Sequence, residues 1–335
     1  MASHIHVDSV RKIVDDGNHN AFTDLVWFRD RLFLTFRSCP DGHMVFTTSR
    51  IVVMVSDDVG ETWREVHRFS VPERDVRDPH FVVFRDTLFV YTGAWLVEEP
   101  RDINHHLGYC VWSVDGEKWQ GPRFLEGTYG HYVWRAATRI TENGDERAYL
   151  CARRRHGFAR APDTGDGVTN TESAMLESED GIVWRLAGFF QLHYGDETAF
   201  LFEDDGAVLA VCRSGGNQAA HVCRSAPPYR EWTRSTLHRH IGGPMLARWG
   251  DRYLVGGRKT ADGRGSVTAI GWLDLSGAEP RLIEGPELPS GGDNSYPGFA
   301  PLSDTEGLLS YYSSHEGSGT HDAPSSIYLA KLRLT

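Results

Sequence analysis

Apolar residues along this chain fall into short runs with period-two alternation, and the runs come in pairs. One unit recurs: an apolar strand, a polar turn containing Asp or Gly, then a second apolar strand. Its copies are LVWFRDRLFLTFR (25–37), FVVFRDTLFVYTG (81–93), TRITENGDERAYLCAR (138–153), AFLFEDDGAVLAVCR (199–213), MLARWGDRYLVGGR (245–258) and GFAPLSDTEGLLSYYS (298–313). β-Branched and aromatic residues punctuated by turn formers read as strands, and no stretch sustains a helical period. A third strand follows each pair: RIVVMVSDD (50–58), LGYCVWSVD (107–115), ESAMLESED (172–180), AAHVCRSA (219–226), SVTAIGWLD (266–274) and SSIYLAKLRL (325–334). Five of these lead to a fourth strand, as in WREVHRFS (63–70); for the sixth, HIHVDSVRKIV (4–14) is the right length to supply it. Repeats at roughly 40–60 residues are the spacing of propeller blades. The pattern therefore predicts an all-β fold, a six-bladed β-propeller forming one domain over 1–335, its ring closed by the N-terminal strand joining the last blade.

Between the third and fourth strands of the first blade lies Ser56-Asp57-Asp58-Val59-Gly60-Glu61-Thr62-Trp63. Shorter versions, Ser113 to Trp119 and Ser178 to Trp184, occupy the same place in the next two blades, and a degenerate fourth ends at Trp232. Ser and Asp side chains bond turn amides, Gly takes a positive φ, and Trp packs the turn onto its blade. These turns resemble the Asp-box (BNR) repeats of the sialidase superfamily, whose members are six-bladed propellers. Such boxes speak to fold more than to chemistry.

In an up-and-down blade these turns share one face, so the opposite rim is built from the starts of first strands and the ends of second strands. Second strands end in Arg37, Arg153, Arg213 and Arg258 in four of the six blades, while first strands start with Arg77-Asp78 and Trp134-Arg135 among others. A funnel lined by guanidinium groups suits a ligand carboxylate, which arginine clasps in bidentate geometry. The sialidase resemblance sharpens this. It implies Glu197 in GDETAFLF as a base, Arg213 in AVCRS and Arg258 in VGGRK as carboxylate ligands, and Tyr296 in DNSYPGF as nucleophile. A phenol with an ordinary pKa near 10 needs such a carboxylate to take its proton, and a neutral attacker avoids repulsion from a substrate carboxylate.

Two parts of the family pattern are missing. Its first arginine opens the first strand in Arg-Ile-Pro, whereas this chain reads Phe22-Thr23-Asp24-Leu25, leaving Arg37, Arg77 or Arg135 to supply a third guanidinium. The family's acid is an aspartate between the second and third strands of the first blade, where this chain offers both Asp41 and His43. Trp95, His105-His106 and His315-Glu316 are further candidates for sugar subsites. Asp102 with His105-His106 resembles a metal site only superficially, because adjacent histidines point apart; no metal or other cofactor is expected.

Composition narrows the partners. With 35 Lys+Arg against 46 Asp+Glu and a net charge of −11, the chain lacks the basic stripe that nucleic acid requires. No long apolar run suggests a membrane span, and the start lacks the pattern of a secretion signal, so a cytoplasmic protein is expected. Five cysteines without CxxC spacing fit a reducing compartment. The expected partner is an acidic sugar or oligosaccharide, the oligomeric state being left open. The leading reading is an exo-acting glycosidase releasing a terminal acidic sugar. A polysaccharide lyase or glycosidase acting on uronate-containing glycans, and a non-catalytic glycan-binding propeller, are the alternatives.

Overall fold

The computed structural model describes residues 4–98, 105–155, 170–261, 263, 265–317, 319 and 324–335, which contain strands and turns and no α-helix. Strand β1 (Ile5–Val14) precedes the first blade, formed by β2 (His19–Phe28), β3 (Arg31–Cys39), β4 (Arg50–Ser56) and β5 (Arg64–Phe69). The second holds β6 (Arg74–Phe84), β7 (Thr87–Leu96), β8 (Leu107–Ser113) and β9 (Gln120–Phe124). The third holds β10 (Tyr132–Ile140), β11 (Glu146–Arg155), β12 (Thr171–Ser178) and β13 (Arg185–Gln191). The fourth holds β14 (Gly195–Phe202), β15 (Val208–Ser214), β16 (His221–Ser225) and β17 (Thr233–Thr236). The fifth holds β18 (Gly242–Trp249), β19 (Arg252–Ala261), β20 (Gly265–Asp274) and β21 (Arg281–Glu287). The sixth holds β22 (Asn294–Pro301), β23 (Glu306–Ser313) and β24 (Ser326–Leu334), with β1 as its outer strand. This is the six-bladed propeller that the repeats predict.

The first strand of each blade faces the axis and touches its counterparts in the neighbouring blades. Outer strands are the exposed ones: in β5 only Phe69 is buried. Apolar side chains fill the wedges between blades. Phe33, Ile51 and Val53 pack with Phe81, Leu88 and Val90 across the first wedge, and Val82, Phe84 and Phe89 with Val133, Leu150 and Leu176 across the second. Each fully buried Phe or Leu contributes about 1.5–3 kcal/mol.

Closure follows the expected route. β1 runs antiparallel to β24, from Ile5 opposite Leu334 to Val14 opposite Ile327, so β24 is paired on both sides and the last blade has four strands like the others. From β1, Arg11 also reaches the first blade, donating to the Gly60 carbonyl at 2.5 Å.

The turns of the opposite face are built as their composition implies. Ser56 Oγ accepts the Gly60 amide at 2.7 Å, Asp58 Oδ1 accepts the Thr62 amide at 2.8 Å, and Trp63 Nε1 donates to the Gly60 carbonyl at 3.1 Å. Ser113 with Gly116, and Ser178 with Gly181, repeat the first contact at 2.8 and 2.9 Å. Each turn is also tied to a neighbouring blade. Arg31 donates to Glu117 and to the Asp115 carbonyl, and Tyr91 Oη donates to the Gly181 carbonyl at 3.0 Å.

Candidate active site

Every inner strand slips register with its partner at its start: between Ala21 and Asp24, Arg77 and His80, Val133 and Ala136, Gly195 and Thr198, Gly242 and Met245, and Ser295 and Gly298. The residues left out of the ladder are Phe22-Thr23, Asp78-Pro79, Trp134-Arg135, Asp196-Glu197, Gly243-Pro244 and Tyr296-Pro297. Such irregularities kink a strand and re-aim its side chains. Phe22, Asp78, Gly243 and Tyr296 occupy the left-handed region, with φ of 61°, 51°, 57° and 51°. Sparsely populated backbone of this kind costs about 1–3 kcal/mol per non-glycine residue and gathers at functional sites. Six equivalent bulges thus meet around the axis: Phe22 and Trp134 lie with ring centroids 4.8 and 6.2 Å from that of Tyr296.

At the centre, Tyr296 Oη donates to Glu197 Oε1 at 2.6 Å. The other carboxylate oxygen accepts Arg213 Nη1 at 2.9 Å and the Gly243 amide at 3.0 Å, and Arg213 Nη1 also reaches Tyr296 Oη at 3.3 Å. Arg258 lies over the Tyr296 ring at 5.5 Å. Burial alone would push the Glu197 carboxyl up, but the Arg213 charge and the hydrogen bonds from Tyr296 and Arg213 outweigh it and hold Glu197 at about 2. Burial, reinforced by the Glu197 charge, raises Tyr296 well above the ordinary phenol range. The pair therefore rests as a neutral phenol donating to a carboxylate. The structure brings together the four residues for which the resemblance implied roles.

The remaining arginines separate into two groups. Arg213, Arg258 and Arg153 keep side-chain exposures of 23, 20 and 21%. Arg153 Nη1 and Arg213 Nε straddle Asp196 at 2.7 and 3.3 Å. Arg37 is wholly buried, donating to Asp75 at 3.0 Å and to the carbonyls of Gly42 and Met44. Arg77 shares Asp75 at 2.6 Å and donates to the carbonyls of His43 and Met44. Arg135 spans the axis, donating to Asp24 at 3.1 Å and to the carbonyls of Pro244 and Pro297 at 2.9 and 2.7 Å. Arg37, Arg77 and Arg135, each expected as a third ligand-binding guanidinium, are engaged here by buried carboxylates and carbonyls as ties within the ring. Arg153, which sequence reasoning noted at a strand end without selecting it, takes the exposed place.

Asp78 is buried in its bulge, and its Oδ1 has no hydrogen-bond partner. Burial and the nearby Glu197 charge push this carboxyl up to about 8, so it stands protonated beside ionised Glu197. The two proton-donor candidates also part company. Asp41 is exposed and accepts the Thr48 hydroxyl. His43 turns inward, its Nδ1 2.6 Å from Asp293 Oδ2, an oxygen that also contacts His19 Nε2 at 2.8 Å. Tyr312 Oη and Arg258 Nη2 reach the other oxygen of Asp293 at 2.9 and 3.4 Å. Donor atoms of His19, His43 and Asp293 lie within 4.8 Å of one another, as a cation site would need. Contacts of 2.6 and 2.8 Å are hydrogen-bond lengths, shorter than the ~3.3 Å between ligands on a zinc ion, and Arg258 adds a fixed positive charge.

Of the proposed subsite residues, Trp95 lies at the rim, with the Arg77 guanidinium 5.1 Å from its ring and His106 4.6 Å away. His315 and Glu316 face the sixth blade instead, contacting Ser313 at 2.9 Å and Lys12 at 2.6 Å. Asp102 lies outside the described residues. His19 and Asp293 were not singled out from sequence; their meeting depends on a contact between residues 274 positions apart. One signal was available for the bulges: Pro79, Pro244 and Pro297 sit inside inner strands, where a residue without an N–H marks an interrupted ladder.

No protein-family model matches this sequence, and no curated protein sequence does either. Solved structures do match. A Dyadobacter fermentans DSM 18053 protein of unknown function is 21% identical, with a TM-score of 0.78 over 99% of each chain. The phage phi92 endosialidase is 10% identical, with a TM-score of 0.65 over 98% of this chain and 69% of its own. Trypanosoma rangeli sialidase, solved with the inhibitor DANA, is 13% identical, with a TM-score of 0.66 over 97% of this chain and 58% of its own. At such identities the likeness establishes a sialidase-like propeller fold.

Proposed function

We propose that the protein is an exo-acting glycoside hydrolase that releases a terminal acidic sugar through a tyrosyl intermediate. The observation that carries this reading is the 2.6 Å contact between Tyr296 Oη and Glu197, with Arg213 against both. Arg213 and Arg258, with Arg153 as the third exposed guanidinium, hold the sugar carboxylate beside the reacting carbon. In the resting state the proton stays on Tyr296, because its phenol is a far weaker acid than the Glu197 carboxyl. It becomes acidic only as its oxygen bonds to the anomeric carbon, and Glu197 takes the proton then. Water attacks in the second half, and Glu197 returns the proton to Tyr296. Two displacements at one carbon retain configuration.

The test is a panel of fluorogenic aryl glycosides of nonulosonic acids beside a set of uronate oligosaccharides. Wild type is expected to cleave the former, and Tyr296→Phe to lose kcat by roughly 10³-fold or more while the dissociation constant for the sugar moves only a few-fold. Near-wild-type turnover by that variant would remove the nucleophile. An unsaturated-uronate absorbance would replace hydrolysis by elimination.

A further inference from the structure

We infer that His43 exchanges the proton with the leaving-group oxygen, with Asp293 and His19 as the residues that position it; the inference rests on the hydrolytic reading of Tyr296 and Glu197. A carboxylate oxygen only accepts, so His43 Nδ1 and His19 Nε2 must both present N–H to Asp293 Oδ2, at 2.6 and 2.8 Å. That fixes His43 as the tautomer whose Nε2, on the far side of the ring, gains and loses the catalytic proton. Asp293 cannot turn away. Its other oxygen is held by Tyr312 and Arg258, and its own amide and carbonyl bond Ser314, each at 2.9 Å.

The placement suits a leaving group. His43 lies in the connection between β3 and β4 and keeps 19% of its side chain exposed, whereas Asp293 and His19 beneath it keep 0 and 1%. Its ring centroid is 5.6 Å from that of Phe22, which in turn is 4.8 Å from that of Tyr296. Phe22 therefore neighbours both His43 and Tyr296, and Asp293 immediately precedes the strand that carries Tyr296, so the two are set by one stretch of backbone.

The charges around His43 decide its working range. Burial lowers its pKa below the ordinary 6.5, Asp293 opposes this, and Arg77 and His19 add to the lowering. Arg77 donates to the His43 carbonyl, Arg37 to the carbonyls of Gly42 and Met44 on either side, and Arg258 and Tyr312 face it through Asp293. Burial would push Asp293 up, but the hydrogen bonds from His19 and His43, with the charges of His43 and Arg258, hold it well below the carboxylate range, so it stays an anion. In the first step the glycosidic C–O bond breaks, its electron pair goes to the departing oxygen, and that oxygen takes the Nε2 proton; Tyr296 oxygen forms the new bond to carbon. In the second, neutral His43 takes a proton from the attacking water as Tyr296 departs.

The test compares wild type, His43→Gln and Asp293→Asn on the 4-methylumbelliferyl and methyl glycosides of N-acetylneuraminic acid. The first leaving group needs little protonation and the second needs it fully. For His43→Gln, kcat/KM is expected to fall roughly 10²–10³-fold on the methyl glycoside and less than about 10-fold on the aryl one. Equal losses on both would overturn the assignment. Asp293→Asn should move the pH limb of kcat toward lower pH with KM little changed, since removing the anion makes imidazolium harder to form; an unmoved limb would refute the positioning role. Imidazole ¹⁵N NMR reads the same claim without turnover. His43 is expected as the Nδ1–H tautomer with a pKa that rises when N-acetylneuraminic acid binds, and the other tautomer, or a pKa blind to the sugar, would contradict it. Activity abolished by EDTA and restored by Zn²⁺ would also overturn it, by making the same atoms metal ligands. Full turnover by Tyr296→Phe would instead sink the hydrolytic reading and leave the NMR result standing.

Discussion

Asp78 and Glu197 sit in equivalent bulges yet hold opposite protonation states, because Glu197 has Arg213, Tyr296 and the Gly243 amide while Asp78 Oδ1 has no partner. The native state keeps the Asp78 proton up to about pH 8, whereas the unfolded chain loses it near pH 4. Between those values the folded state binds the extra proton, so this group makes stability fall as pH rises. Asp78→Asn removes that dependence, and asparagine tolerates the φ of 51°. The melting temperature of the variant, relative to wild type, is expected to climb from pH 5 to pH 8; a constant difference would mean that Asp78 is already ionised. At residue scale the sequence was partly legible. Tyr296, Glu197, Arg213 and Arg258 belong to recognisable strings, whereas the burial of Arg37 against Asp75 depends on a contact that neither local string announces.

The bulge is the element that makes the site. A regular inner strand would send successive side chains alternately into the two wedges beside it, and none would turn freely toward the axis. Gly243 shows how closely the six are fitted: a Cβ there would lie 2.6 Å from the Tyr296 ring, and its amide holds Glu197. Gly243→Ala therefore strains the backbone by about 1–2 kcal/mol and displaces the Tyr296 ring. A kcat loss of roughly 10²-fold is expected, with the melting temperature falling only modestly. Loss of fold in step with loss of activity, measured by thermal melts beside kinetics, would reduce Gly243 to a packing residue. Strand pairs and turn signatures were legible because alternation and Gly/Asp turns are local. The register slips were not, since a slip belongs to two strands at once; only Pro79, Pro244 and Pro297 betray it.

The whole ring is what lets residues from all quarters of the chain cooperate. His19 and Asp293 meet where the first and last blades adjoin in the ring that β1 closes on β24, while Glu197 and Tyr296 meet through the fourth, fifth and sixth blades in succession. Closure was foreseeable from a final blade one strand short and an opening strand of matching length. A net charge of −11 coexists with three partly exposed guanidiniums in the funnel because Arg153, Arg213 and Arg258 gather where three strands end, each beside an acid: Asp196, Glu197 or Asp293. The account turns on whether that funnel delivers an anomeric carbon to one phenol. The direct measurement is mass spectrometry of the protein after incubation with 2,3-difluorosialic acid, a compound that forms a covalent intermediate on Trypanosoma rangeli sialidase. The expected result is a sugar mass on the peptide containing Tyr296, absent from Tyr296→Phe. Inactivated enzyme carrying the label elsewhere, or active enzyme carrying none, would contradict it.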